Sequence, residues 1–257
     1  MTKPICFVVC TYNLWKDKRW AERQEPLKRF LEYHAPDILC LQELRPATCQ
    51  WLDATLPGHE RVHDPFPGWE EEGNIYWNRE IFELAEYGAR DIVRCSSPPM
   101  IEKLRRLFWV RFRWREGDAP PLFVSTAHYT YPSPAEKESG YSPRMVQARQ
   151  TLQALAELSP PDEPLLFMGD LNDWYLPINI LWEGGLMDSF QALGRVPLST
   201  VVPIVRAGTP ATIDWIFHRG PLRPMTSEAP DFRYGDIAPS DHKPVLATYR
   251  LVDQERK

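Results

Sequence analysis

Two short runs hold the residues best suited to chemistry, Gly169-Asp170-Leu171-Asn172 and Ser240-Asp241-His242. Each follows a turn-like break beside an apolar run. Together they supply carboxylates, a carboxamide and an imidazole. Carboxylate and amide oxygens are hard ligands for a divalent cation, and an imidazole can hold or hand over a proton near neutral pH. That is the chemistry of a divalent-metal hydrolase. Other apolar runs also end in polar residues: Asn13, Gln42-Glu43 and His128. Asp214 lies at the start of the Ile213–Phe217 run, where a carboxylate is costly unless partnered, and His242 is the evident partner. Asp170 and Asn172 are two apart, so in extended backbone they share one side and can address one water or one phosphate oxygen. Asp241 and His242 are adjacent and would oppose each other in a regular strand. They are therefore expected in the irregular loop before Lys243-Pro244. Taken singly, each piece also reads as ordinary punctuation: a turn, a cap or a solvated loop start. The ordered set across the chain is what points to a site.

The elements that must position these residues follow from periodicity. Residues 5–13 read as a buried strand ending at Asn13. A helix follows with Trp20, Leu27 and Leu31 on one face, stopped by Pro36. Asp37 to Leu41 reads as a second buried strand delivering Gln42-Glu43. Strands are expected at 73–78, at 106–114 with an outward row of arginines, and at 121–127 just before His128. Ser142-Pro143 opens a helix with a stripe of Met145, Ala148, Leu152 and Leu155. Leu165 to Met168, Ile213 to Phe217 and Val245 to Leu251 complete the set. Hairpin-like pairs with only three clear helices favour packed sheets with helices outside over a parallel doubly wound sheet. Strand and turn signals run to both ends without linker or repeat, so a single domain over 1–257 is expected.

The 257 residues, 43% of them hydrophobic, suffice for a packed core, and the formal charge of -5 lacks the basic footprint of a protein built for long nucleic acid. Five cysteines form no CxxC pair, and Cys6, Cys10 and Cys40 sit in strand-like contexts. They read as buried free thiols of a reducing compartment. No signal peptide is evident, and no apolar run nears the ~20 residues of a membrane span. A cytoplasmic, most simply monomeric protein is expected.

Six stretches carry a resemblance: Thr11-Tyr12-Asn13-Leu14-Trp15, Leu41-Gln42-Glu43, Ser125-Thr126-Ala127-His128, Gly169-Asp170-Leu171-Asn172, Ile213-Asp214-Trp215-Ile216 and Ser240-Asp241-His242. In this order and spacing the chain resembles the endonuclease/exonuclease/phosphatase superfamily, the DNase I-like metal-dependent phosphoesterases. Gly73-Asn74-Ile75-Tyr76-Trp77 is similar to the strand that follows the family's first acidic motif. The resemblance implies an α+β fold, a four-layer α/β/β/α sandwich of two packed mixed sheets with helices on the outer faces and a site at one edge. It implies one or two Mg²⁺ or Mn²⁺ ions held by Asn13, Glu43 and Asp241. Asp170 and Asn172 would orient the nucleophile, His128 and His242 would meet phosphate oxygens, and Asp214 would hold the second nitrogen of His242. The reaction implied is in-line attack of water on phosphorus.

The family spans nucleases, lipid phosphodiesterases and sugar-phosphate phosphatases, and its fold does not choose among them. Candidate substrate contacts are Trp15, Asn74, Tyr131, Arg144 and Trp174, with Arg149 and the Pro/Ser/Tyr-rich stretch 129–142 beside them. A duplex-DNA groove would draw on Lys103-Leu104-Arg105-Arg106 and on Arg111, Arg113 and Arg115. Glu70-Glu71-Glu72 and the acidic total weigh against it, so a small or terminal phosphoester is favoured, with cleavage of DNA or RNA as the alternative.

Overall fold

The strands near the middle of the chain are apolar on both faces, which requires cover on both sides. The computed structural model describes residues 5–95, 103–132, 136, 142–202 and 211–252, and supplies that cover. One sheet runs β11 (Leu222–Glu228), β12 (Val245–Leu251), β1 (Cys6–Asn13), β2 (Ile38–Gln42), β4 (Gly73–Asn78), β3 (His59–Arg61). The other runs β5 (Phe82–Cys95), β6 (Lys103–Trp114), β7 (Leu122–His128), β8 (Leu165–Asp170), β10 (Asp214–Arg219), β9 (Met187–Asp188). Phe7, Val9, Ile38, Cys40, Val124, Leu166, Met168 and Ile216 fill the space between the sheets. The alternate residues of the same strands face outward onto helices. Cys10, Tyr12, Leu39 and Leu41 meet α1 (Trp20–His34) and α2 (Pro46–Thr55). Phe123, Leu165, Phe167 and Phe217 meet the helices Pro143–Leu158 and Leu176–Glu183, which follow the one-turn α3 (Gly68–Glu71) and are α4 and α5. Fully burying each such side chain contributes about 1.5–3 kcal/mol. The four-layer arrangement of two mixed sheets is thus the one the resemblance implied.

The topology decides where the chemistry goes. Strands β1 and β2 are parallel, joined through α1, and β7 and β8 are parallel, joined through α4. All four end at the same edge of the sandwich, at Asn13, Gln42, His128 and Asp170. Strand β10 runs antiparallel to β8 and so begins at that edge, with Asp214 opposite Asp170. Strand β12 runs antiparallel to β1, so the Ser240–Pro244 segment enters there too. Gly169 permits the β7–β8 approach: a Cβ on it would meet the Ala127 carbonyl oxygen at 2.0 Å.

Several features differ from expectation. The long strand β5 and the helices α2 and α5 carry weak periodic signals, because β5 alternates charge on a wet face and the helices are short. Cys6 is exposed at the start of β1, whereas Cys10, Cys40 and Cys49 are buried. Tyr141 and most of the 129–142 stretch lie outside the described residues. No helix among the described residues is long and apolar enough to cross a membrane.

Candidate active site

Asp170 is the centre of the assembly. It is buried at the end of β8, and four groups converge on its carboxylate. Asn13 donates from Nδ2 to Oδ2 at 2.9 Å, and the Asn172 backbone N–H donates to Oδ1 at 2.9 Å. His128 Nε2 lies 3.4 Å and His242 Nε2 3.8 Å from Oδ2. The His128 contact follows from register, since parallel strands β7 and β8 place these two residues side by side. Asn172 does not share extended backbone with Asp170, as its spacing suggested. It sits in left-handed backbone at φ 50°, which an asparagine adopts more easily than most residues. That turn brings its Nδ2 to the Tyr129 carbonyl at 3.0 Å and to Asp170 Oδ2 at 3.4 Å.

Asp214 and His242 form the pair expected of them. His242 Nδ1 lies 2.9 and 3.1 Å from the two oxygens of Asp214, and both residues are buried. Thr200 Oγ1 accepts the backbone N–H groups of Ile213 and Asp214, and its carbonyl accepts Lys243 N–H. The Thr200 segment therefore ties the two loops that carry the pair. Burial disfavours a charged imidazole, but the carboxylates of Asp214 and Asp170 outweigh it and hold the His242 pKa up to about 10. For Asp170 burial prevails over the nearby His242 charge, with Asp214 adding repulsion, and its pKa rises to about 7. The result is an imidazolium anchored on one nitrogen, with the other turned toward a carboxyl group poised near neutrality.

Glu43 and Asp241 are half-buried at the rim. Glu43 follows β2 at φ 55°, with Lys16 Nζ 3.9 Å from its Oε1. Ser240 Oγ donates to the Asn13 carbonyl at 2.6 Å, while Leu14 and Lys16 N–H groups donate to the Gln42 and Glu43 carbonyls. These hydrogen bonds lash together the three loops bearing Asn13, Glu43 and Asp241. Among the described residues, five of the six non-glycine residues in left-handed backbone belong to these loops or the Asn172 turn: Trp15, Lys16, Arg19, Glu43 and Asn172. Such conformations each cost on the order of 1 kcal/mol and persist where their surroundings over-determine them.

This convergence of strand-end residues on one sandwich edge is matched in sequence. The model of the Endonuclease/Exonuclease/phosphatase family matches residues 10–242. The chain belongs to that family. Its fold is shared with a family protein from Bacteroides thetaiotaomicron at 19% identity and TM-score 0.78, covering 98% of this chain and 100% of that one. It is shared too with a mannosyl-6-phosphatase of Bacteroides thetaiotaomicron VPI-5482, at 18% identity and TM-score 0.77 over 95% and 99% of the two chains. TDP2 of D. rerio, in complex with a single-strand DNA product, has 19% identity and TM-score 0.75 over 95% and 98%. At these identities the likeness is one of fold. Among curated proteins no sequence matches significantly.

The family implies a divalent metal, and the donors fit one. Glu43 and Asp241 offer carboxylate oxygens, and Asn13 Oδ1 accepts only the Trp15 N–H among its described bonds, leaving a lone pair. An all-oxygen set with few protein ligands suits Mg²⁺ or Mn²⁺. A second group of donors, Asp170, Asp214 and His242, lies within 4.8 Å of one another. There the Nδ1 of His242 is already committed to Asp214, which suits proton handling.

Two expected substrate contacts are corrected by burial. Asn74 is fully buried, and its amide makes four bonds within the protein, to Val62 N–H and carbonyl, Ile75 N–H and the Trp69 carbonyl. It braces the 62–74 loop. Arg144 is buried and is bound by Asp173, Glu136 and the Thr130 carbonyl. It ties the loop after His128 to the Asn172 turn and offers no free face to a phosphate. Trp174 and Tyr131 are exposed and Trp15 is half-buried.

The family site has a neighbour that sequence reading missed. Gln42, Glu72, Arg105, Arg106, Thr126 and His128 line a small cleft. Gln42 Nε2 crosses beneath it to Thr126 Oγ1 at 2.9 Å. Of the basic residues expected to draw a DNA duplex, Arg106 and Arg111 are each held by two carboxylates. Register pairs Glu83 with Arg113 and Glu86 with Arg111. Arg111 also binds Glu163, and Arg106 binds Glu72 and Asp91.

Proposed function

We propose that this member of the endonuclease/exonuclease/phosphatase family is a divalent-metal-dependent phosphoester hydrolase acting on a small or terminal phosphoester. The observation that carries the reading is the Asp214–His242–Asp170 relay with Asn13, Asn172 and His128 around it. Asp170, with its pKa lifted toward neutrality by burial, is placed to orient a water and accept its proton. Asn172 and Asn13 fix the direction in which that carboxylate points. His242, kept charged by Asp214, donates from Nε2 to a phosphoryl oxygen, and His128 meets a second oxygen across from it. Bound Mg²⁺ or Mn²⁺, held by Glu43, Asp241 and the Asn13 oxygen, would stabilise charge on the phosphoryl and leaving oxygens.

The small substrate is supported by Arg106 and Arg111 of β6, each held by two carboxylates, and by the net charge of -5. Trp15, Tyr131 and Trp174 would face the leaving group. The protein is read as one domain acting as a monomer. A panel of p-nitrophenyl phosphate, its bis-ester, sugar phosphates and nucleotides, each with Mg²⁺ or Mn²⁺, tests this. Turnover no greater than that of an Asp170→Ala control would refute it.

A nuclease reading draws support from the fold shared with TDP2 bound to a DNA product. It predicts cleavage of single-stranded oligonucleotides with rates that fall steeply as salt rises.

A further inference from the structure

Arg23 is an arginine in the first half of α1, a place where arginines usually face water. Here it is 2% exposed. All of its described hydrogen bonds go to backbone carbonyls. Nε donates to Lys18 at 2.6 Å, Nη1 to Leu14 at 2.9 Å and to Pro239 at 2.7 Å, and Nη2 to Lys16 at 3.0 Å. Trp15 and Trp20 cover the guanidinium, with centroids 5.3 and 5.4 Å away. The other deeply buried arginines among the described residues, Arg61 and Arg144, are each paired with two carboxylates. Arg23 differs from them in kind: it is a cation used to gather carbonyls.

Those carbonyls belong to the loops that carry the metal donors. Leu14, Lys16 and Lys18 form the turn after Asn13, which includes Trp15, Lys16 and Arg19 in left-handed backbone. Pro239 precedes Ser240-Asp241. Through Leu14 and Lys16 N–H the same turn grips the Gln42 and Glu43 carbonyls, and Glu43 is itself left-handed. One guanidinium therefore joins the left-handed turn after Asn13 to the Pro239 segment, and through that turn reaches left-handed Glu43; these segments place Asn13, Asp241 and Glu43. Strain of this kind relaxes unless something holds it. A planar five-donor fork can reach four carbonyls at once, and an ammonium cannot.

We propose that Arg23 is a positioning residue that assembles the metal-donor loops before any metal arrives. The inference rests on the metal-site reading given above. Its cost is a buried positive charge near a site for cations. That cost is tolerated because a preorganised donor set loses less freedom when the ion binds.

The test uses the full-length protein. Mn²⁺ is titrated by calorimetry into wild type, Arg23→Lys and Arg61→Lys, the last a control for loss of a buried guanidinium remote from these loops. Arg23→Lys is expected to bind Mn²⁺ at least about tenfold more weakly while melting cooperatively, and Arg61→Lys to stay within about twofold of wild type. Arg23→Lys binding Mn²⁺ as wild type does would overturn the proposal. Should Arg23→Lys fail to fold, hydrogen exchange on the wild type decides. The Leu14 and Lys16 amides are expected to be protected equally with and without Mn²⁺; protection that arises only on adding Mn²⁺ would overturn it. A wild type that takes up no Mn²⁺ would defeat the metal-site reading instead, and the same amides, protected in the metal-free wild type and unprotected in Arg23→Lys, would still support the clamp.

Discussion

Asn13 on β1 donates from Nδ2 to Asp170 Oδ2 on β8 at 2.9 Å, and that bond crosses from one sheet to the other. The two residues are 157 positions apart. Asn13 thus belongs to both halves of the site, with its nitrogen on the carboxylate that addresses water and its oxygen toward the metal donors. Asn13→Ala is expected to lower kcat by about 100-fold and to weaken Mn²⁺ binding in the same protein. A variant that lost only one of these would show that the bridge serves one half alone.

Asp214→Asn tests the relay. The amide keeps the shape but removes the charge that sustains the His242 imidazolium and sets its tautomer. A fall in kcat of between about 10² and 10⁴-fold is expected, with KM little changed. Steady-state kinetics on whichever ester the panel selects would measure it, and a loss of threefold or less would remove Asp214 from the mechanism.

Metal removal should abolish activity without unfolding the chain. The core between the sheets and both outer cores are built from apolar side chains, independent of any ion. Dialysis against a chelator is expected to leave the far-ultraviolet dichroism intact and turnover absent. Mg²⁺ or Mn²⁺ should restore turnover, and Ca²⁺, larger and less demanding in geometry, should restore less.

Gly169→Ala is expected to destabilise the fold by about 3 kcal/mol or more, because its methyl would lie against the Ala127 carbonyl and push β7 from β8. Gly117→Ala is the comparison. Its φ of +84° strains an alanine, but nothing lies within 4 Å, so a loss of about 1–2 kcal/mol is expected. Urea titration of both variants gives the two values, and equal losses would show that the close approach is not what demands glycine at 169.

His218 supplies a pH dependence of stability. It is buried on β10 against the Tyr249 hydroxyl, 3.2 Å from Nδ1, and burial pulls its pKa down to about 4. Folded, it stays neutral while the unfolded chain takes up a proton below its usual value. Its contribution is therefore fully present above the unfolded pKa and is lost as pH falls from about 6.5 toward 4, at up to about 1.4 kcal/mol per unit. The stability gap between wild type and His218→Gln should be constant from pH 7 to 8 and shrink between pH 6.5 and 4.5 in urea titrations. A gap that held steady down to pH 4.5 would mean that His218 titrates normally.

Much of the site was legible because its residues are chemically out of place in their local sequence. A carboxylate opening Ile213–Phe217, or an Asp-His between Pro239 and Pro244, stands out against apolar runs whose periodicity is plain. The corrections share a cause. Asn74 and Arg144 have the right functional groups, but local sequence does not record whether a side chain's bonds are already satisfied by distant carbonyls and carboxylates. Arg23 was overlooked for the converse reason: on a helix it looks like one more solvated arginine, and its carbonyls come together only after the Pro239 segment folds back over α1. The strand β5 escaped because five of its fourteen residues are charged, and the partners of Glu86 and Asp91 lie on β6 rather than nearby in sequence.

By itself, then, the sequence determined the element types around the site, the family, and which side chains stand at strand ends, since apolar periodicity and turn residues act over a few positions. Tertiary structure alone decided which of those side chains meet. The parallel pairing of β1 with β2 and of β7 with β8 brings four strand ends to one edge, where burial raises the pKa of Asp170 and neighbouring carboxylates hold His242 charged. Both are long-range effects: register is settled by packing between sheets, and a pKa by every charge and solvent-free volume around the group.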